Sequence, residues 1–318
     1  MKKSTLVIIA IITFLPSCAY IAIKSAPSKH DTVTRSRAAL KADALFWQIF
    51  HAGEYEKISN ALESMTAAYL DAPNDSVTAA HLGWLHIWRL AERSRLQEIP
   101  SFITDDAVLA HKYFHEAVRL NPLDARFLGF LGSSIVAEGT IHKDEKLVRE
   151  GYYLLVDSIS EWPEFNFFTA GYMMSSQPAN SSQFQEGLEW QWRNLDVCVD
   201  ETVDRNNPDF SKYMRLLTVQ GNKRVCWNSW IAPHNFEGFF LNMGDMLVKS
   251  GDWATAQKIY ANARLSADYV KWKFRDVLEN RIKNARDNVA QFNDDSSGPS
   301  GVKIMFNSSF NCVACHQQ

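Results

Sequence analysis

Apolar residues recur at helical spacing along most of this 318-residue chain, and glycine is sparse, at 14 positions. Between Glu56 and Leu70 the apolar positions are Ile58, Leu62, Met65 and Tyr69. Between Ala107 and Leu120 they are Ala110, Phe114, Ala117 and Val118. Steps of three and four place each set on one face of a helix. Strand-type alternation is hard to find, so the expected fold class is all-α. The chain is 46% hydrophobic, enough for one large or two modest domains. Ten Trp and nineteen Phe are expected to fill the space between helices. A formal net charge of −3 offers no basis for binding nucleic acid.

A longer period overlies the helical one. After Asn242 the chain carries Met243-Gly244, Leu247, Gly251, Ala256, Tyr260 and Ala263. These offsets resemble the tetratricopeptide repeat: a large-small pair in the first helix, a turn glycine, then Ala, an aromatic and Ala in the second. Three weaker units share the pattern. One holds Leu45, Ile49, Gly53, Ile58, Leu62 and Met65. The next has Ala79, Leu82, Gly83 and His86, with Ala110, Phe114, Ala117 and Pro122. The third has Leu128, Leu131, Gly132, Gly151, Leu155, Ser158 and Pro163. Small residues are expected where paired helices touch, with bulky ones in the neighbouring holes. The resemblance covers about two thirds of the chain. It implies a solenoid of helical hairpins over residues 25–291, with a concave surface that docks a protein partner. Residues 177–233 depart from the period and are expected to be irregular.

The first residues have the make-up of an export signal. Lys2 and Lys3 precede an apolar run from Thr5 to Leu15, then Pro16-Ser17-Cys18. Leu15-Pro16-Ser17-Cys18 resembles a bacterial lipobox, which implies diacylation of Cys18; Pro16 departs from the small residue usual there. Alternatively, residues 4–23 form an uncleaved membrane anchor, or the signal is cleaved to leave a soluble chain. Residues 1–24 thus form a signal peptide or anchor under each alternative. All three place the remainder outside the cytoplasm, in the periplasm of a Gram-negative cell.

The last residues are Cys312-Val313-Ala314-Cys315-His316-Gln317-Gln318. Cys-x-x-Cys-His is the attachment signature of c-type haem. One helical turn sets both sulfurs beside one edge of the macrocycle and carries the next imidazole toward the iron. A redox dithiol or half of a zinc site would use the same cysteines, but no second Cys/His cluster offers an evident fourth zinc ligand. With Phe306 and Phe310 before it, the motif resembles the terminal helix of class II cytochromes, the cytochrome c′ and c556 group. That resemblance implies thioether bonds at Cys312 and Cys315 and His316 as proximal iron ligand. The four-helix pattern usual before that helix is not evident. His234, Met243, Met173 or Met174 are candidate sixth ligands, and an open position is the other option.

Residues 292–301 contain Asp-Asp-Ser-Ser-Gly-Pro-Ser-Gly, a flexible linker by composition. Residues 302–318 therefore read as a short haem-bearing helix on a mobile arm. With Cys18 assigned to lipid and two cysteines to haem, Cys198 and Cys226 remain. They form either one disulfide closing about 28 residues or two buried thiols. Ile231 to Gly238, beside Trp227 and Trp230, either forms a turn that lines a pocket, with His234 able to ligate metal or shuttle protons, or simply starts a helix with Asn235 as its cap. The pairs His81/His86 and His111/His115 lie on repeat helices; only the second has the spacing of a shared metal, and no acidic motif supports one. The function expected is one-electron transfer by a membrane-tethered periplasmic haem c protein whose repeats dock a redox partner. The alternatives are an envelope scaffold lipoprotein with a structural or redox Cys-x-x-Cys, and an open-iron peroxidase or gas sensor. Nothing in the sequence supplies a distal acid–base set for the last.

Overall fold

The computed structural model describes residues 18–294, 302–307 and 312–318. The described residues are all-helical, with no strand among them. The helices are α1 (Arg37–Ala52), α2 (Ile58–Asp71), α3 (Ser76–Ala91), α4 (Asp105–Leu120), α5 (Ala125–His142), α6 (Glu145–Glu161), α7 (Pro163–Met174) and α8 (Ser182–Val199). After an irregular segment come α9 (Asn235–Ser250), α10 (Trp253–Asn262), α11 (Arg275–Lys283), α12 (Ala285–Phe292) and the short α13 (Cys312–His316).

Local chemistry starts and stops these helices. Ser36, Asp75, Asp124, Asp144, Ser181 and Asp252 each accept a bond from a first-turn amide. Gly53 ends α1 in the left-handed region, φ 67°, and its N–H returns to Ile49 and Phe50 carbonyls.

Consecutive helices pack as five hairpins, α1/α2, α3/α4, α5/α6, α7/α8 and α9/α10. Small residues sit at the crossings, as expected. A Cβ on Gly83 would lie 2.7 Å from the Phe114 ring, and one on Gly244 2.2 Å from the Tyr260 ring. The α7/α8 hairpin corrects the boundary of the irregular segment, which begins after Val199 rather than at residue 177. Its crossing joins Gly171 to Gly187, where a Cβ on the first would lie 2.8 Å from the carbonyl of the second. Gly132 and Gly151 meet in the same way in α5/α6.

The segment between α8 and α9 is tied down rather than loose. Trp227 is buried and stacks on Phe236, with centroids 5.5 Å apart. Asn262 accepts from the Phe210 amide and donates to the Pro208 carbonyl. A disulfide joins Cys198 to Cys226, 28 residues apart. Replacing both by alanine is expected to lower the unfolding free energy by about 3 kcal/mol, read from urea denaturation of wild type and variant. A change under about 0.5 kcal/mol would contradict this.

Asn235 is not the cap of α9. His234 holds that position without a side-chain bond, and Asn235 Nδ2 donates instead to the Val225 carbonyl at 2.5 Å.

The tail does not stand off the body. Ile304–Asn307 form a 3-10 turn, with Met305 and Phe306 left-handed at φ 48° and 56°, so residues 302–318 are not one helix. Met305 is fully buried. Its N–H donates to Asp245 Oδ2 at 2.9 Å, and Arg281 Nη2 donates to the Lys303 carbonyl at 2.6 Å. Trp272 Nε1 donates to the Ala314 carbonyl at 2.9 Å. Buried side chains of the body thus hold peptide groups of the tail. Linker composition signals freedom only where nothing receives the segment beyond it, and here a groove receives it. Residues 295–301 lie outside the described residues.

Candidate functional site

The last turn of the chain seats between α9 and the C-terminus of α1. Gly238 on α9 makes the room: a Cβ there would lie 2.5 Å from Cys315 Sγ and 2.8 Å from the Ala314 carbonyl carbon. The His234 amide donates to the Cys315 carbonyl at 2.9 Å. On the other side, the Gln318 amide donates to the His51 carbonyl at 3.0 Å, and the Gln317 side chain fills the space over Gly53. The site therefore joins residues from the first and last hairpins with the segment before α9.

His316 is partly buried within aromatic rings. Phe50 lies 4.7 Å from it centroid to centroid, Trp47 lies 6.4 Å away at 25°, and Trp47 meets Trp230 edge-on at 5.6 Å. Trp230 is 70% exposed, so this aromatic cluster opens to solvent. His316 Nδ1 is 2.7 Å from the Ile231 carbonyl oxygen. A carbonyl only accepts, so Nδ1 carries the proton and Nε2 keeps a lone pair, the tautomer required of a metal ligand through Nε2.

Burial pushes the His316 pKa down to about 4, and neighbouring His51 adds to the shift while the Ile231 bond opposes it. The seated imidazole is neutral. Its contribution to tail seating is fully present above the ordinary value of 6.5 and is lost as pH falls toward 4. In a chain with Cys312 and Cys315 replaced, amide exchange in α13 is expected to accelerate between pH 6.5 and 4, after correction for intrinsic rates. Unchanged protection across that window would contradict this.

Cys315 is 5% exposed, and burial, with the Glu237 carboxylate adding, pushes its thiol up to about 12. Glu237 is fully buried, accepting from Asn228 Nδ2 at 2.8 Å and Ser266 Oγ at 2.7 Å. Cys312 begins α13.

The other expected site residues fall as follows. His234 is buried and touches the motif through its backbone, while its Nδ1 lies 3.4 Å from Glu237. Met243 is fully buried in the main core, and Met173 and Met174 are buried too. His81 pairs with Asp43 at 2.5 Å, His86 with Asp106 at 2.7 Å and His111 with Glu138 at 2.8 Å. Among the described residues, no group of three or more His, Cys, Asp and Glu is placed to hold a metal ion. Cys18 is exposed and, like the described residues up to 24, helical. The export signal at residues 1–17 lies outside the described residues, and no described helix is long and apolar enough to cross a membrane.

The sequence did not single out Trp47, Phe50, His51 or Trp272. Their role comes from the seating of the tail, which leaves no local signature. The run 231–238 leading into α9 is the part of this site that the sequence marked, as a turn able to line a pocket. The chain matches no family model, no curated protein and no solved structure.

Proposed function

We propose that this chain is an exported helical-repeat protein of the tetratricopeptide kind that carries one haem c and exchanges single electrons with a protein partner. The observation that carries this is a Cys-x-x-Cys-His motif whose histidine has its Nδ1 proton committed to the Ile231 carbonyl, leaving Nε2 for iron.

The residue types are those that would hold the group. Cys312 and Cys315 would hold it by thioether bonds and His316 by Nε2. The missing side chain at Gly238 gives the Cys315 sulfur a buried notch, suited to a neutral sulfur once its proton is gone. Because Cys315 is buried when the tail is seated, its bond to the group would be made before seating. Trp47, Phe50 and Trp230 offer an apolar wall beside the imidazole. When bound, haem supplies a one-electron iron couple. The chain's own residues orient the imidazole, keep it neutral and limit water around it.

Diacylation of Cys18 would tether the protein to a periplasmic membrane face. The repeat hairpins would supply the concave docking surface for the partner. A potentiometric titration of the purified holoprotein is expected to follow a reversible one-electron Nernst curve. An iron that neither oxidises nor reduces reversibly would remove electron transfer from the account.

One observation favours a second function. A buried, neutral Cys315 thiol suits the resolving partner of a dithiol–disulfide couple. A chain that leaves the periplasm without added mass, yet reduces a disulfide substrate, would establish it instead.

A further inference from the structure

We infer that His51 is a positioning residue that raises the iron's reduction potential by sharing the Ile231 carbonyl with His316; this rests on the haem c reading proposed above. His51 Nε2 lies 2.9 Å from that oxygen and His316 Nδ1 lies 2.7 Å from it. The two rings are nearly parallel, 15° apart, with centroids separated by 6.3 Å. Both nitrogens must donate, because a carbonyl has no proton to give. One oxygen therefore serves two imidazole N–H groups through its two lone pairs.

The consequence lies in the strength of each bond. Every donor draws electron density from the oxygen, so it accepts less strongly from the other. A strong bond at Nδ1 makes a ligand imidazole more basic at Nε2 and stabilises the ferric state. Sharing the oxygen weakens that bond and holds the potential up. His51 is fixed for the task. It lies in the last turn of α1, its backbone carbonyl takes the Gln318 amide, and its ring lies 5.4 Å from that of Trp47. The first hairpin thereby ties down the end of the tail and sets the electronic state of its histidine.

The test compares His51→Phe with His51→Gln in the haem-loaded full-length chain. Phenylalanine keeps a ring and removes the donor, whereas glutamine keeps an N–H donor. Haem content is measured first by alkaline pyridine spectra. The Phe variant is expected to favour the ferric state by about fivefold to tenfold against a reference couple, tenfold being about 59 mV for one electron. The Gln variant is expected to stay within about twofold of wild type. An unchanged or raised potential in the Phe variant, or equal shifts in both, overturns the role of His51 while leaving the haem site intact. Absence of covalent haem in the wild-type chain overturns the proposed function and this inference together.

Discussion

Replacing Arg281 with methionine is expected to destabilise the chain by about 3–5 kcal/mol. Asp245 is fully buried in α9, and burial pushes its carboxyl up. Three groups hold it against that: Arg281 Nε at 3.1 Å, the Tyr260 hydroxyl at 2.6 Å and the Met305 amide at 2.9 Å. Without the guanidinium, a carboxylate remains in the core with only neutral donors. The bond from Arg281 to the Lys303 carbonyl and the stack of Arg281 on the Phe292 ring are lost as well. The double variant Asp245→Asn, Arg281→Met should lose less than the sum of the single variants, because no charge is then left buried. Urea denaturation of the four proteins provides the cycle. A single-variant cost under about 1 kcal/mol would mean that water reaches Asp245 and that the seat of the tail is looser than described.

The second large effect concerns retention of the cofactor. In a cell that matures c-type cytochromes, Cys312→Ser combined with Cys315→Ala is expected to abolish haem that survives denaturation. Alanine is chosen at 315 because it enters the Gly238 notch without bringing a new polar group. The tail should still seat, since the bonds from Trp272, Arg281 and the His234 amide all go to its main chain. Acid–acetone extraction of both proteins, with amide exchange in α13, reads the two outcomes separately. Colour retained by the variant would show that the sulfurs do not hold the group.

The helical class was legible because amphipathic helices announce themselves over a dozen neighbouring residues. The glycine–aromatic crossings at Gly83/Phe114 and Gly244/Tyr260 were legible because each supplies the small residue and the aromatic of the repeat pattern. The α7/α8 hairpin was not read as a repeat, although Gly171 and Gly187 meet there as Gly132 and Gly151 do in α5/α6. The pairing of Cys198 with Cys226 was one of two options by elimination, and only the proximity of α8 to the following loop joins them. Composition mistook the last residues for a free arm. The bonds that seat them come from Asp245 and Arg281, unremarkable within their own helices, and from Trp272 in the connection before α11. His51 and His316 lie at opposite ends of the chain, and the single carbonyl they share belongs to a third segment. No spacing rule relates three such positions, so the motif was readable in the sequence while its surroundings were not.

The most direct measurement is the intact mass and pyridine haemochrome spectrum of the chain purified from the periplasmic fraction. The account predicts a mass above that of the polypeptide by one haem, after allowance for any lipid, and a spectrum of haem held by two thioether bonds. A colourless protein whose mass is fully explained by polypeptide and lipid would contradict it.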